Sequence, residues 1–444
     1  MKTSTAWLIA RPRTSAGRSR ALLVAAGSGV GGGLLISAAA VLRVPGQTIE
    51  YVEGGLVYTS SGEYSPLVTQ AGLRPGVITG ILLLVLPALA LTWQAVTTGS
   101  ARRTAVHEGL RLSGATPAEL RRIAVLEPAV AGLAGGLLAG PVYLALSVLL
   151  HDAAPVSARL LPGLAPLDVI AWLVVVVLTT LVAGTAGARA ATPQPRQPVR
   201  AWPRLLAVAV GVVALVAVIS MPRDPAQRAL ATTLNCAALT VLALGLLSTG
   251  ALWVRSRARR LSSSGTAVDV LAAGGLHTLA GPAGRTAGTT CVAGLTLGVA
   301  GSLVGILLAP EHSMADALPA LLLTGLAALM AVLAAIAAMA LAAADDLVTT
   351  GRAVASTAAL GADPAVLEQV QHRRLTAVTT GPLLAGVLLG SLYAVPELSP
   401  AAGGTVLATI ALTALLARVL SAGVVRVLRP RIAQAAAPSS LRIA

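Results

Sequence analysis

Long apolar runs alternate with short polar segments along most of the 444-residue chain. Each run is long enough to cross a hydrocarbon core of about 30 Å, which takes roughly 20 helical residues. The fifth and sixth runs are separated only by "PRDPAQR", which predicts a helical hairpin. The pattern predicts ten transmembrane helices, near residues 21–42, 77–98, 124–150, 168–188, 205–221, 229–253, 289–309, 317–342, 375–395 and 403–424. The predicted fold class is an all-α integral membrane protein.

Composition supports this class. The chain is 56% hydrophobic and 11% charged, whereas soluble domains carry about 25% charged residues. Cytoplasmic loops collect Lys and Arg, so we place the N-terminus inside. Only five of the 32 basic residues then fall outside, namely Arg43, Arg74, Arg159, Arg223 and Arg228. We therefore expect a multi-pass protein of the cell membrane with both termini in the cytoplasm.

The basic residues that give the chain its net charge of +15 lie mainly on the predicted cytoplasmic side, so we interpret this charge as a topology signal. It indicates contact with the lipid bilayer and not with nucleic acid, because no soluble basic domain is present to hold a nucleic-acid site. The first apolar run could instead be a cleaved signal peptide, since "SAAA" at 37–40 follows a basic start. Its length of about 22 residues and the repeat described next favour a retained helix.

An internal repeat organises the chain. "GATPA" at 114–118 returns as "GADPA" at 361–365, 247 residues later, and both interrupt the membrane pattern between two apolar runs. This predicts two repeated four-helix units, 21–190 and 289–428. We name the polar segments at the interruptions the first elbow (99–123) and the second elbow (343–374). The rest divides into a basic N-terminus (1–20), an extracellular loop (43–76), a linker with the hairpin (191–256), a cytoplasmic linker (257–288) and a tail (429–444).

Local chemistry predicts a stiff first elbow. Gly114 suits the left-handed conformation that ends a helix, and Pro117 suits the first residue of the next one. Glu108 with Arg111, and Glu119 with Arg122, are three residues apart, so each pair shares a helical face. Such a segment presents charge to the cytosol while continuing directly into a membrane helix.

The first elbow and its flanks, "RRTAVHEGLRLSGATPAELRRIAVLEPAVAGLAGGLLAG" (102–140), resemble the signature of FtsX-like permeases, the membrane subunits of one class of ABC transporter. The second copy matches more weakly, with Ala355 where a Glu belongs and Arg374 in the place of Glu127. The resemblance implies that the elbows couple to a separate ATP-binding subunit. The residues it assigns to coupling are Arg103, Glu108, Arg111, Gly114, Ala115, Pro117, Glu119 and Arg122, and in the second copy Arg352, Gly361, Ala362 and Pro364.

The implied function is a permease that moves a lipid-like or amphipathic substrate, such as a peptide or antibiotic. Many MacB-like relatives carry a large extracellular domain, and the short loop here, which suggests one small hairpin, argues against a periplasm-spanning pump. The alternative is a signalling subunit that acts on an extracellular or kinase partner. Two elbows match two copies of the ATPase. Whether a complex contains one permease chain or two is left open by the sequence.

We expect no ATPase activity in the chain itself and no cofactor, with ATP and Mg²⁺ bound by the partner subunit. A P-loop needs a Lys at the phosphates, and the only lysine is Lys2. Two cysteines and five scattered histidines indicate neither a disulfide nor a metal site. The runs also show no charge at mid-span, which argues against an intramembrane protease or an ion-coupled carrier.

Glycines recur at four-residue spacing inside the predicted spans, where they let helices approach closely. We interpret these pairs, and "GSGVGGG" at 27–33, as packing positions and not as a nucleotide loop. The pairs are Gly76/Gly80, Gly136/Gly140, Gly301/Gly305 and Gly386/Gly390.

Overall fold

The computed structural model describes residues 15–46, 48–52, 55–59, 63–70, 74–97, 109, 111–155, 159–191, 201–221, 228–307, 314–393 and 400–436. Helices dominate these ranges. They are α1 (Ser15–Val41), α2 (Arg74–Thr97), α3 (Pro117–Ser147, continued by a π-helical turn at Val148–Asp152), α4 (Pro166–Ala191), α5 (Trp202–Ile219), α6 (Arg228–Ser262), α7 (Ala267–Thr278), α8 (Ala280–Leu307), α9 (Met314–Ala359), α10 (Pro364–Ser391) and α11 (Pro400–Ala436).

Nine of the described helices are long and apolar enough to cross a membrane. They make the chain a multi-pass helical membrane protein. Ten were expected from the sequence. The tenth, near 375–395, lies in α10, whose apolar stretch is diluted by threonines, glycines and Pro382. This helix nevertheless runs beside α8 far into the bundle, where Gly390 packs against Leu295 and Val299.

The loop after α1 contains the small hairpin that its sequence suggested. Strand β1 (Thr48–Val52) pairs antiparallel with β2 (Gly55–Thr59), and Thr48 lies opposite Thr59. A short helical turn, Pro66–Thr69, follows. Arg74 then ties the loop down, because its guanidinium donates to the carbonyl oxygens of Val68 and Val44.

Two sets of four helices pack in the same way. The helix α1 packs against α2, α3 and α4, and α3 packs against α4. In the second set, α8 packs against α9, α10 and α11, and α10 packs against α11. The hairpin of α5 and α6 contacts both sets, through α6 against α2 and α8.

The sets meet along α2, which packs against α8 and α9. Buried polar side chains join them near both ends of the bundle. Gln94 donates to Thr286 Oγ1 at 3.1 Å and to the carbonyl oxygen of Ala338 at 2.8 Å. At the opposite end, Asn235 donates to Thr79 Oγ1 at 3.0 Å and to the Tyr393 hydroxyl at 2.8 Å. In an apolar setting such bonds help fix how the helices associate.

Several helices extend beyond the apolar spans on the side of the bundle that holds Gly114 and Gly361, which we call the elbow side. The helix α9 has 46 residues and is about 69 Å long at 1.5 Å per residue, whereas its apolar span is Leu323–Ala344. Its last turns pack with α10 and α11 around Leu347, Val354, Leu367 and Ile432. The second elbow is therefore built on a small apolar cluster beyond the spans.

Candidate functional site

The first elbow is a tight turn between a short helical segment and α3. Gly114 has φ +93°, and its N–H donates to the carbonyl oxygen of Arg111 at 3.0 Å. Thr116 caps α3 through a reciprocal capping box with Glu119, and Pro117 is the first helical residue. The turn is thus fixed by a left-handed glycine, a cap and a proline within four positions.

The second elbow has the same construction. Gly361 has φ +94° and donates to the carbonyl oxygen of Ala358 at 3.0 Å. Asp363 caps α10, with its carboxylate accepting from the N–H of Ala365, and Pro364 opens the helix. The repeated letters Gly-Ala-x-Pro therefore specify the same backbone twice.

Each elbow exposes one leucine at its turn. Leu112 is 84% exposed and Leu360 is 89% exposed, more than any other large apolar side chain of the described residues. Leu112 lies two residues before Gly114, and Leu360 lies one residue before Gly361. The sequence did not single out Leu112, whereas Leu360 is one of the residues by which the second copy resembles the FtsX-like signature, without being assigned to coupling.

The elbows differ in the charge around these leucines. Arg111, Arg121 and Arg122 are exposed on the first elbow, whereas the Glu119 carboxylate is engaged with Thr116. On the second, Glu368 accepts a 2.7 Å ion-pair hydrogen bond from Arg429 of α11. Ala115 and Ala362 are half-buried beside their glycines.

The structure does not describe the side chains of three of the expected coupling residues. Arg103 and Glu108 lie outside the described residues. Arg352 lies in α9, twelve positions before Pro364.

An ion pair lies just beyond each elbow. In the first set, Glu127 of α3 accepts from Arg20 of α1. At the position 247 residues later, Arg374 of α10 lies 3.4 Å from Asp346 of α9. The second copy thus replaces Glu127 by a residue of opposite charge, and it still forms an ion pair there.

The predicted glycine pairs fall mostly at helix contacts. A Cβ on Gly136 would lie 2.7 Å from Val176 Cα of α4, and Trp172 donates to the Gly136 carbonyl oxygen at 2.9 Å. In the second set, a Cβ on Gly386 would lie 2.7 Å from the backbone nitrogen of Leu295. The same holds at four other positions, where Gly140 faces Trp172, Gly80 faces Leu323, Gly301 faces Thr409 and Gly390 faces Leu295.

The other two glycines behave differently. Gly305 is buried within α8. A Cβ on Gly76, at the start of α2, would meet no described atom within 4 Å. The structure therefore gives Gly76 no close helix contact, because it precedes the region where α2 meets its neighbours.

A comparison of the chain with known proteins finds no matching family model, curated protein or solved structure. The resemblance to FtsX-like permeases therefore depends on residues 102–140 and their weaker repeat.

Proposed function

We propose that this chain is the permease subunit of an ABC transporter of the FtsX-like type, driven by a separate ATP-binding subunit. The observation that carries the proposal is the pair of elbows. Both have a left-handed glycine, a capped proline start and an exposed leucine. Two elbows with the same turn geometry suit the two copies of a dimeric ATPase.

The proposed architecture is two FtsX-like units, α1–α4 and α8–α11, joined by the α5–α6 hairpin. Equivalent packing within each set and the spacing of 247 residues between the elbow glycines support a duplication. The Arg asymmetry supports a cytoplasmic position for the elbow side and for both termini. That is the side on which a cytosolic ATPase docks.

Force transfer follows from helix continuity. The helix α3 runs unbroken from Pro117 at the first elbow to Ser147, a length of about 46 Å at 1.5 Å per residue. It packs closely against α1 and α4 through small residues, including Gly132, Gly135 and Ala139. A push at the first elbow would therefore tilt or slide α3 against its neighbours, with Pro128 and Pro141 as the points inside the helix where it can bend.

The proposed substrate is lipid-like or amphipathic and is taken from the membrane. Between α1 and α2 the chain has only a two-stranded hairpin and one helical turn in its described part. Such a small loop offers little surface for capturing a soluble substrate. Signalling to an extracellular or kinase partner is the competing output of the same ATPase-driven movement.

The test is recovery of the ATPase with the purified chain. We expect the tagged protein, extracted from its native membrane in mild detergent, to retain a P-loop ATP-binding protein in two copies per complex. Leu112→Ser or Leu360→Ser should reduce this recovery. Val427→Ser is the matched control, because Val427 is also strongly exposed near the elbow-side end of α11.

Two results would contradict the proposal. One is a stable preparation without any ATP-binding protein, and the other is equal recovery from all variants. To separate transport from signalling, the complex is reconstituted in vesicles with a fluorescent phospholipid. ATP-dependent movement of the probe supports transport, and hydrolysis without movement supports signalling.

A further inference from the structure

A cavity of about 80 Å³, partly open to the outside, lies on the elbow side between α7, α8, α9, α10 and α11, and Gln94 of α2 also lines it. Most of its lining is apolar. Three charged side chains also line it, namely Arg285, Arg374 and Asp346, which gives a net formal charge of one positive. A second cavity of about 310 Å³ shares Arg374 and leads toward the second elbow.

Arg374 is held with hydrogen-bonding capacity to spare. It is 15% exposed, its Nη1 is 3.4 Å from Asp346 Oδ2, and its Nη2 is 3.2 Å from the carbonyl oxygen of Leu271. Charge-assisted N–H···O bonds are ordinarily about 2.7–2.9 Å long. The buried Nε has no hydrogen-bond partner among the described residues. Each Nη carries two N–H donors and makes one of these contacts, so the Nη groups can also donate to an anion in the cavity, whereas the buried Nε is out of its reach.

The cavity lies where the apolar spans end. Arg285 is close to the start of the span Ala280–Ile306, and Asp346 follows the span Leu323–Ala344. Positively charged groups near the ends of spans lie at the level of lipid headgroups, and basic pockets between helices on the cytoplasmic side suit anionic headgroups.

We propose that this cavity binds the phosphate of an anionic phospholipid at Arg285 and Arg374, with the glycerol end of the lipid against the apolar wall at Leu375 and Val378 and the acyl chains extending out of the cavity into the bilayer. The net positive charge selects an anionic headgroup, and the apolar walls select a molecule with a tail over a soluble anion. Arg374 is on the helix that begins at the second elbow, and it contacts α7 and α9. The bound lipid therefore holds the second elbow in place. This site does not depend on whether an ATPase docks there.

The test is native mass spectrometry of the delipidated chain in detergent. The chain is titrated with phosphatidylglycerol or phosphatidylcholine of identical acyl chains. We expect tighter binding of phosphatidylglycerol. Arg285→Gln and Arg374→Gln should each lower its affinity roughly tenfold, the loss expected for one charge-assisted hydrogen bond. Arg426→Gln is the matched control, because Arg426 is exposed on the elbow side of α11 and outside the cavity.

A substitution of opposite sign separates binding from misfolding. Among the described residues Asp346 is the only acid that lines the cavity. Asp346→Asn removes the negative charge that pairs with Arg374, so it should raise the affinity for phosphatidylglycerol severalfold. A variant that merely damages the fold cannot do this. The proposal is overturned by equal binding of the two lipids, by equal losses in Arg285→Gln and Arg426→Gln, or by weaker binding in Asp346→Asn. Displacement of the lipid by an equal concentration of glycerol phosphate would assign the site to a soluble anion and would also overturn it.

Discussion

The glycine at each elbow gives the sharpest test of coupling. Gly114 and Gly361 have φ of +93° and +94°, and a Cβ at either would meet no described atom within 4 Å. The cost of a larger residue there is therefore one of backbone strain alone. Left-handed backbone costs an L-residue roughly 1–2 kcal/mol, and a β-branched valine lies at the upper end.

A matched control exists in the same chain. Gly265, in the turn between α6 and α7, has φ +78° and also has open space around it. Gly265→Val should therefore lower the free energy of unfolding about as much as Gly114→Val or Gly361→Val. Only the last two distort an elbow.

The magnitude sets the expected readout. A strain of about 2 kcal/mol lowers the population of the native turn by up to about 30-fold. The apparent affinity of the docked ATPase falls by the same factor. We therefore expect Gly114→Val and Gly361→Val to lose most of the ATPase in affinity purification, and Gly265→Val to keep it. Melting temperatures in detergent should fall similarly in all three.

Recovery of the ATPase at the wild-type level from all three valine variants would refute this reasoning. It would mean that the elbows are not the docking site. A loss that is equal in all three would indicate global destabilisation as its cause.

Three further predictions follow from the same features. Cysteines placed at Ser61 or Ser313 should react with an impermeant thiol reagent from outside, and cysteines at Ser113 or Ser263 should not; labelling of Ser113→Cys in intact cells would overturn the proposed orientation. The purified chain alone should hydrolyse no ATP, and addition of its ATP-binding partner should restore turnover; hydrolysis by the isolated chain would contradict a separate ATPase. Glu108→Ala or Arg111→Ala should weaken ATPase association, at a cost of about 2–5 kcal/mol if each leaves a charge buried at the interface. Asp363→Ala or Glu368→Ala should change the association little. Recovery equal to that of the wild type from all four variants would show that these charges are only solvated.

Local rules predicted the features that depend on neighbouring residues. The turn at Gly114 and the helix start at Pro117 follow from capping chemistry, which acts over four or five positions. The repeat at Gly361 and Pro364 could be predicted for the same reason. Apolar length likewise located the spans.

Features that depend on packing could not be predicted this way. Four-residue spacing identified Gly76 and Gly80 equally, yet only Gly80 faces another helix, Leu323 of α9. The expected start of a span near 289 left Arg285 in a linker, whereas α8 begins at Ala280 and takes Arg285 into the span. Arg374 was noticed only as a departure from the signature, because its partner Asp346 is 28 residues away on another helix.

The ion pairs at this position suggest what it does in each set. Arg20 with Glu127 joins α1 to α3, whereas Asp346 with Arg374 joins α9 to α10, the counterparts of α2 and α3, so each set ties the helix that follows its elbow to a different neighbour. We expect Glu127→Arg to destabilise the protein by about 1–3 kcal/mol, less than for a fully buried pair, because the side chains are partly exposed. The double variant Arg20→Glu with Glu127→Arg should recover most of this loss. Melting temperature in detergent measures both effects. No recovery in the double variant would show that the acid at 127 is needed for itself, as the resemblance implies, and not only as the partner of Arg20.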